Sequence, residues 1–123
     1  MANAQILHVD DDPDIRLLMS ASLTEFGYRV MTAGTIAEAL KLAKNFQFDL
    51  CILDVKLPDG TGIDLCKQLR ELQEGAPIVY YSGHADVATA EQALEICGDA
   101  YIKKPMSITE LEEKIAGLLK RGE

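Results

Sequence analysis

The segment LCILD, Leu50–Asp54, places four consecutive apolar residues directly before an acidic one. An unbroken apolar run is typical of a strand that is buried on both faces, as in a parallel sheet covered by helices. A second run of this kind, IVYY, occurs at Ile78–Tyr81. These two segments predict central strands of a parallel sheet, and the first would carry the carboxylate of Asp54 to the edge of that sheet.

Short apolar runs alternate with helical patterns along the whole chain. The five runs are Gln5–Val9, Tyr28–Ala33, Asp49–Leu53, Pro77–Ser82 and Asp99–Lys103. Between them, apolar residues recur at the intervals of three and four that a helix with one buried face requires. The first such stripe is Ile15, Leu18, Met19, Leu23 and Phe26, and the clearest is Ile108, Leu111, Ile115, Leu118 and Leu119. The alternation predicts an α/β fold, (βα)5, with a doubly wound five-stranded parallel sheet in the flavodoxin-like order 2-1-3-4-5.

Residues typical of helix ends support this division. Thr35–Glu38 and Ser107–Glu110 have the pattern of capping boxes, and Asp12 precedes a proline suited to a first helical turn. Four further residues follow helical stretches, where a left-handed residue commonly ends a helix: Gly27, Asn45, Gly75 and Gly98.

The overall composition limits the classes of function. The 123 residues suffice for one domain, expected to span 1–123, and 48% hydrophobic with 26% charged residues is typical of a soluble globular protein. A net charge of −8 argues against direct contact with nucleic acid or with an anionic membrane surface. No apolar stretch approaches the roughly 20 residues that span a bilayer, and the first residues lack a signal-peptide core. We therefore expect a cytoplasmic protein that binds neither nucleic acid nor membranes.

The chain has three cysteines, Cys51, Cys66 and Cys97. Their number is odd, and no two have the spacing of a CxxC pair. Small buried thiols in a reducing compartment are therefore the expected state.

Reactive groups follow the predicted strands at their carboxyl ends. They are Asp10, Asp11 and Asp12 after the first strand, Asp54 after the third, Ser82 at the end of the fourth and Lys104 after the fifth. Ligands of doubly wound sheets bind beyond these strand ends, where the direction of winding reverses. The sequence therefore predicts that these side chains share one site.

Asp10, Asp11 and Asp54 predict a divalent cation. Three ionised carboxylates in a small pocket repel one another unless a counter-charge is present. Oxygen ligands without His or Cys favour a hard ion, and Mg²⁺ usually takes one or two carboxylates together with water and phosphate oxygens. Asp12 is better explained as the cap of the helix that begins at Pro13.

Asp54 is the predicted nucleophile. A carboxylate can accept a phosphoryl group and form an aspartyl phosphate, a transfer that depends on positioning and on neutralisation of charge. Lys104 would supply positive charge, and Ser82 would supply a hydrogen bond. Both residues have ordinary alternatives at this point: Lys104 as a solvated lysine at a strand end, and Ser82 as a turn residue before Gly83.

These residues match a known pattern over essentially the whole chain. Val9–Asp11, Asp54–Gly62, Ser82–Gly83 and Lys104–Pro105 resemble, in order and spacing, the response-regulator receiver domain, which is the CheY-like module of two-component signalling. No single segment is specific, but together, each at its own strand end, they are very specific.

The resemblance implies the roles of the reacting groups. Asp54 would be the phospho-acceptor, and Ser82 and Lys104 would hold the phosphoryl group. The Lys104–Pro105 peptide would be cis. Tyr101 would be a switch aromatic that turns inward as Ser82 moves towards the phosphate, although a half-buried strand tyrosine is an equally good interpretation from the sequence.

The resemblance also implies how Mg²⁺ is held. Asp11 and Asp54 would bind the ion directly, together with the backbone carbonyl of Lys56, while Asp10 would act mainly through water. Lys56 and His84 occupy positions that vary in the family and flank the path of an attacking water. We hypothesise that Lys56 slows loss of the phosphate, and we expect His84 to be a solvent-facing loop residue.

The implied partners follow from this chemistry. The donor would be a phosphohistidine on a sensor histidine kinase or a phosphotransfer protein. The added charge would change affinity for a downstream output protein or domain through the surface of the fourth helix, fifth strand and fifth helix. The domain would be no enzyme towards an external substrate, because it would catalyse only its own phosphorylation and dephosphorylation.

Two other classes of function are less consistent with the sequence. A haloacid-dehalogenase-type phosphatase also forms an aspartyl phosphate, but it needs a second Asp two residues after the nucleophile, where this chain has Lys56. A phosphorylation-independent docking module would have no need of the complete set of acids, hydroxyl and lysine. The sequence leaves open the cognate kinase, the output partner, the oligomeric state, the phosphate lifetime, and whether the chain is a fragment of a larger regulator.

Overall fold

The computed structural model describes residues 4–83 and 87–122. In this part of the chain, the sheet strands are β1 Gln5–Val9, β2 Arg29–Ala33, β3 Leu50–Leu53, β4 Ile78–Ser82 and β5 Ala100–Lys103. The helices are α1 Pro13–Glu25, α2 Ile36–Asn45, α3 Gly62–Leu72, α4 Val87–Ile96 and α5 Ile108–Gly122. A short antiparallel hairpin, Lys56–Leu57 with Gly60–Thr61, follows β3 and stands apart from the sheet. None of the helices described combines the length and the apolar composition needed to cross a bilayer.

The sheet has the predicted topology. Its strands are parallel and lie in the order β2-β1-β3-β4-β5, which confirms the flavodoxin-like order. Because β1 and β3 are neighbours although they are not consecutive in the chain, the direction of winding reverses between them. A crevice for ligands therefore opens beyond their carboxyl ends.

Each face of the sheet carries its own hydrophobic core. Residues of Leu50–Leu53 are all fully buried, as the unbroken run predicts, and they alternate between the two faces. Cys51 and Leu53 pack in the core under α2, α3 and α4, whereas Leu50 and Ile52 pack in the core under α1 and α5. The two buried layers hold β3, and with it the start of the following loop, in a fixed position.

The stripe predicted for α1 is only half correct. Met19 and Leu23 are buried, but Leu18 is 69% exposed and Phe26 is 45% exposed. Leu18 lines a groove of about 420 Å³ between α1 and the start of α5, so its side chain borders solvent instead of the core. The neighbouring Leu17 is also exposed.

Most predicted helix ends are confirmed. The side chain of Asp12 accepts hydrogen bonds from the backbone N–H groups of Asp14 and Ile15 and so caps α1. Thr35 caps α2 in the same way through the N–H of Glu38. The three glycines predicted to end helices, Gly27, Gly75 and Gly98, have positive φ angles.

Asn45 does not end its helix in a left-handed conformation, and this prediction is wrong. Asn45 is still part of α2, and its side-chain amide donates to the carbonyl of Lys41 at 2.7 Å. The cap is Phe46, whose backbone is extended with a φ of −134°. The helix therefore passes directly into an extended segment without a turn.

The cysteine prediction is also wrong for two of the three residues. Cys66 of α3 and Cys97, which follows α4, form a disulfide with their Cα atoms 6.1 Å apart. They are separated by 31 residues and belong to different βα units, so no local spacing indicates the pair. Cys51 is a free, buried thiol, as expected.

Candidate functional site

Two strand ends deliver the acids to one place. The backbone N–H of Asp10 donates to the carbonyl of Ala33 at 3.0 Å, and the N–H of Asp54 donates to the carbonyl of Val9 at 2.9 Å. These bonds continue the β-ladders by one residue and fix both backbones. One carboxylate oxygen from each of Asp10, Asp11 and Asp54 lies within 4.8 Å of the others. Asp10 and Asp54 are buried, and Asp11 is exposed.

Lys104 joins this group from β5. Its Nζ lies 2.6 Å from Oδ2 of Asp10 and 3.3 Å from Oδ2 of Asp54. The backbone N–H of Lys104 donates to the carbonyl of Ser82 at 2.9 Å, and the peptide bond to Pro105 is cis, as the resemblance implies. One ammonium group therefore contacts two carboxylates that directly follow two different strands, β1 and β3.

The charge of Lys104 is stabilised in this position. Burial by itself lowers the pKa of Lys104, because it disfavours the charged form. The hydrogen bond to Asp10 and the charges of Asp54 and Asp10 outweigh burial, so the pKa of Lys104 lies above its ordinary value. The site therefore contains a cation at physiological pH, held between the carboxylates of Asp10 and Asp54.

The acid cluster has the donor set of a site for a hard cation. The buried Oδ1 of Asp54 has no hydrogen-bond partner among the residues described. A buried polar atom of this kind is costly unless it is satisfied by water or an ion. The three carboxylates supply oxygen donors only, which suits Mg²⁺ or Ca²⁺ and not a soft metal. The residues present therefore fit a divalent cation.

Asp10 is oriented by further contacts. Its Oδ1 accepts from the backbone N–H of Asp12 at 3.0 Å, and its carbonyl accepts from Nη1 of Arg16 at 2.8 Å. Asp12 itself is engaged as the cap of α1 and does not belong to the acid cluster, as predicted. The first turn of α1 thus holds the loop that carries Asp10 and Asp11.

The other predicted site residues lie around this cluster. Ser82 is the buried last residue of β4, and its backbone is bonded to Lys104. Lys56 is exposed in the hairpin, two residues after Asp54. Tyr101 is half-buried in β5, with its ring centroid 5.6 Å from that of Tyr80. His84 lies outside the described residues.

Three residues near the site have roles that the sequence alone does not assign to them. His8 is buried in β1, two residues before Asp10, and burial lowers its pKa to about 4. Asp59 accepts from the backbone N–H groups of Ile36 and Ala37, so it ties the hairpin after Asp54 to the start of α2. The bond from Ile36 is the main reason that the pKa of Asp59 is lowered.

Gly62 is the third of these residues, and it allows a close approach between chain segments. Its N–H donates to the carbonyl of Val55 at 2.7 Å. A Cβ atom at this position would collide with the backbone oxygen of Asp54. Glycine is therefore required where α3 begins against the loop of the predicted nucleophile.

Comparison with known proteins gives consistent results. Residues 6–116 match the family model of the response regulator receiver domain. The alkaline phosphatase synthesis transcriptional regulatory protein PhoP of Bacillus subtilis (strain 168) is 38% identical over 121 residues, which are 98% of this chain and 50% of that protein. The chain thus spans about half the length of this curated relative.

Solved structures match over nearly the whole chain. A CheY-like response regulator receiver domain protein from Methanospirillum hungatei JF-1 has a TM-score of 0.92 and 34% sequence identity, with 98% of this chain and 97% of that chain covered. A response regulator protein from Burkholderia pseudomallei, solved with a phosphorylated aspartic acid, a calcium ion and citrate, has a TM-score of 0.84 and 32% identity, with 95% of this chain and 66% of that chain covered.

Proposed function

The chain belongs to the response regulator receiver domain family, and from that premise we propose that Asp54 accepts a phosphoryl group in a Mg²⁺-dependent reaction. Phosphorelay signal transduction is the function of this family. The observation that carries the proposal is the contact of Lys104 with Asp10 and Asp54 at the crevice between β1 and β3. The Burkholderia pseudomallei relative, which contains a phosphorylated aspartic acid, supports the same chemistry.

Mg²⁺ is the proposed cofactor. Asp11 and Asp54 would hold it directly, together with the backbone carbonyl of Lys56, and Asp10 would hold it through water. When bound, the ion neutralises charge on the oxygens of the phosphoryl group in transfer. The compact group of carboxylates and the unsatisfied Oδ1 of Asp54 support this assignment.

Asp54 acts as the nucleophile in the proposed reaction. A carboxylate oxygen attacks the phosphorus of a donor phosphohistidine, so a P–O bond forms as the P–N bond breaks. The imidazole nitrogen of the donor leaves with the bonding electron pair. Lys104 shifts from the carboxylates to a phosphoryl oxygen, and the hydroxyl of Ser82 donates a hydrogen bond to another. The chain thus catalyses only its own phosphorylation and dephosphorylation. In the second reaction water attacks the phosphorus, the P–O bond to Asp54 breaks, and inorganic phosphate leaves.

The proposed output is a shift of a conformational equilibrium. Phosphorylation adds negative charge and strong acceptor oxygens at the ends of β3 and β4. Ser82 would move towards the phosphate, and Tyr101 would turn inward beside Tyr80. The surface of α4, β5 and α5 would then bind a downstream protein or domain differently. A sensor histidine kinase or phosphotransfer protein in the cytoplasm would be the donor.

A phosphorylation-independent docking role is not favoured. Such a role gives no reason for a lysine that contacts two buried acids, or for a carboxylate oxygen left without a hydrogen bond. Contacts of this kind have a cost in stability that a purely structural surface does not need to bear.

The test is incubation with acetyl phosphate and Mg²⁺, followed by intact-mass and peptide mass spectrometry. We expect wild type to gain one phosphoryl group on Asp54, Asp54→Asn to gain none, and a chelator to abolish the reaction. Asp14→Asn, which changes an exposed acid in the first turn of α1, is the matched control and should react like wild type. An unmodified wild type under these conditions, or equal labelling of Asp54→Asn, would disprove the proposal.

A further inference from the structure

The disulfide between Cys66 and Cys97 joins α3 to the turn that follows α4, on one face of the sheet. Cys66 lies in α3, and Cys97 lies in the turn between α4 and β5. The Cα separation of 6.1 Å is within the range of about 4.4 to 6.8 Å that a disulfide requires. Cys66 is completely buried, whereas Cys97 is 9% exposed.

The turn that carries Cys97 rests on an aromatic pair. The hydroxyl of Tyr80 donates to the carbonyl of Cys97 at 2.7 Å. Gly98 has a φ of +116°, and a Cβ atom there would collide with the ring of Tyr80. The ring of Tyr80 in turn packs against Tyr101 of β5. The end of α4 is thus connected through Cys97 and Gly98 to the ring of Tyr80, which in turn contacts Tyr101.

A second link between α3 and this turn is weaker. Arg70 of α3 forms an ion pair with Asp99 at 2.9 Å, and both side chains are more than a third exposed. Exposed ion pairs contribute little because water and salt screen them. The bond between Cys66 and Cys97 is therefore the strong connection that holds the end of α4 to α3.

We propose that Cys66 and Cys97 form a reversible thiol–disulfide site, whose oxidised state holds the end of α4 against Tyr80 and opposes rearrangement of α4 and β5. The disulfide and the contacts that restrain the end of α4 are independent of phosphorylation. The further consequence, that oxidation weakens the response to phosphorylation, rests on the proposed function.

The redox step is an exchange with a small thiol such as glutathione. A thiolate of the small molecule attacks Sγ of Cys97, the less deeply buried of the two residues, and Cys66 leaves as a thiolate that takes up a proton. A second small thiolate attacks the other sulfur of the mixed disulfide and releases Cys97. The net reaction converts one protein disulfide and two small thiols into two protein thiols and one small disulfide, and oxidised glutathione drives the reverse reaction.

Cys51 does not compete in this exchange. It is fully buried, and burial raises the pKa of its thiol to about 12, so the reactive thiolate form is scarce. Cys51→Ala therefore provides a background in which only the proposed pair can react.

The first experiment equilibrates the Cys51→Ala protein in buffers with different ratios of reduced to oxidised glutathione. Acid quenching, alkylation and peptide mass spectrometry then count the free thiols. We expect zero free thiols at oxidising ratios and two at reducing ratios, at Cys66 and Cys97, with the same curve from both directions. Two free thiols at every ratio, or none at every ratio, would refute a reversible site.

The second experiment measures hydrogen exchange of peptides from residues 90–103 in oxidised and reduced protein, with and without acetyl phosphate and Mg²⁺. Without acetyl phosphate, hydrogen exchange at the end of α4 should be slower in the oxidised state than in the reduced state by about tenfold or more. Addition of acetyl phosphate and Mg²⁺ should change hydrogen exchange more in the reduced state than in the oxidised state. Equal exchange in both redox states would contradict the restraint on α4.

Two controls keep these outcomes distinct. Cys97→Ser in the Cys51→Ala background should show the hydrogen exchange of the reduced protein in every buffer. If this variant does not fold, reduction of the parent protein gives the same comparison without a substitution. The mass of the protein reports phosphorylation of Asp54 separately. If Asp54 stays unmodified in both redox states, the proposed function fails, while thiol counting and exchange without phosphate still test the disulfide.

Discussion

Lys104 is the residue on which the charge balance of the acid cluster depends. It contacts Asp10 and Asp54, and those contacts raise its pKa. Lys104→Met approximately keeps the length of the side chain but removes the ammonium group, which would contact the phosphoryl group during its transfer. We expect phosphorylation by acetyl phosphate to be slower by about a hundredfold or more, because a positioned donor to a developing charge is lost. The rate of phosphorylation is measured by mass spectrometry, as the rate at which the protein gains the mass of one phosphoryl group.

Lys103→Met is the matched control for that experiment. Lys103 is the exposed neighbour of Lys104 at the end of β5. Its replacement removes the same charge from the chain without touching the acids, so the rate should stay near that of wild type. Similar losses in both variants would mean that net charge, and not the contact of Lys104, controls the reaction.

Lys56 is exposed in the hairpin, two residues after Asp54, and we expect it to flank the path by which water reaches an aspartyl phosphate. A long cationic side chain there should hinder or bind that water. We expect the phosphate on Asp54 to decay severalfold faster in Lys56→Ala than in wild type, as measured by loss of the phosphorylated mass after the donor is removed. Lys67→Ala, which changes an exposed lysine of α3, is the control. An unchanged or longer lifetime in Lys56→Ala would exclude this role.

His8 should make stability depend on pH. Burial lowers its pKa to about 4 in the folded chain, while the unfolded chain binds the proton near pH 6.5. The unfolded state therefore binds more protons between these values, and the free energy of unfolding falls as the pH decreases from 6.5 to 4. The loss from this group is about 3 kcal/mol and is complete near pH 4.

Urea unfolding between pH 4 and 7 in the presence of a chelator tests this effect. His8→Val should lose the part of the pH dependence that His8 contributes, although its absolute stability differs. His84→Val, which changes the other histidine of the chain, should retain the slope of wild type. Parallel curves for wild type and His8→Val would show that His8 is not the group responsible.

Among the elements, the strands are predicted best because their pattern reports burial on both faces. Leu50–Leu53 and Ile78–Ser82 are buried throughout, as their unbroken apolar runs indicate. The stripe of α1 is less informative, because apolar spacing does not distinguish a core from a solvent groove such as the one beside Leu18. Asn45 shows a similar limit, since its residue type permits a helix end that the following extended segment does not require.

Gln73 stabilises a junction that no local pattern predicts. It is buried after α3, where its amide donates to the carbonyls of Ala43 and Phe46 and its oxygen accepts from the N–H of Phe48. Gln73→Leu would remove all three hydrogen bonds, two of which are buried. We expect a loss of about 2 to 3 kcal/mol in the free energy of unfolding, measured with urea.

Gln68→Leu is the comparison for that variant. Gln68 lies on the exposed side of α3, so the same substitution there removes no buried hydrogen bond and should change stability by less than about 0.5 kcal/mol. Equal effects of the two substitutions would show that the contacts of Gln73 do not carry the stability of this junction.

For the molecule as a whole, the sequence predicts the gathering of the acids because parallel topology alone places strand ends together. Asp10, Asp54 and Lys104 meet for that reason, although they are far apart in the chain. The pairing of Cys66 with Cys97 requires more information. Sheet order places α3 and α4 on one face, but the rotation of each helix about its axis decides which side chains meet, and that rotation depends on packing along the complete interface.

The same pair gives a prediction about the stability of the complete chain. The disulfide closes a segment of 31 residues, and a cross-link of that span restricts the unfolded state. Reduction should therefore lower the free energy of unfolding by about 3 to 4 kcal/mol in the chain-entropy estimate. This is a large part of the total stability expected of a domain of this size, so the urea midpoint should shift clearly when reductant is added. The Cys66→Ser, Cys97→Ser double variant should unfold at one midpoint with or without reductant. If reductant also leaves the urea midpoint of wild type unchanged, the bond does not constrain the unfolded chain.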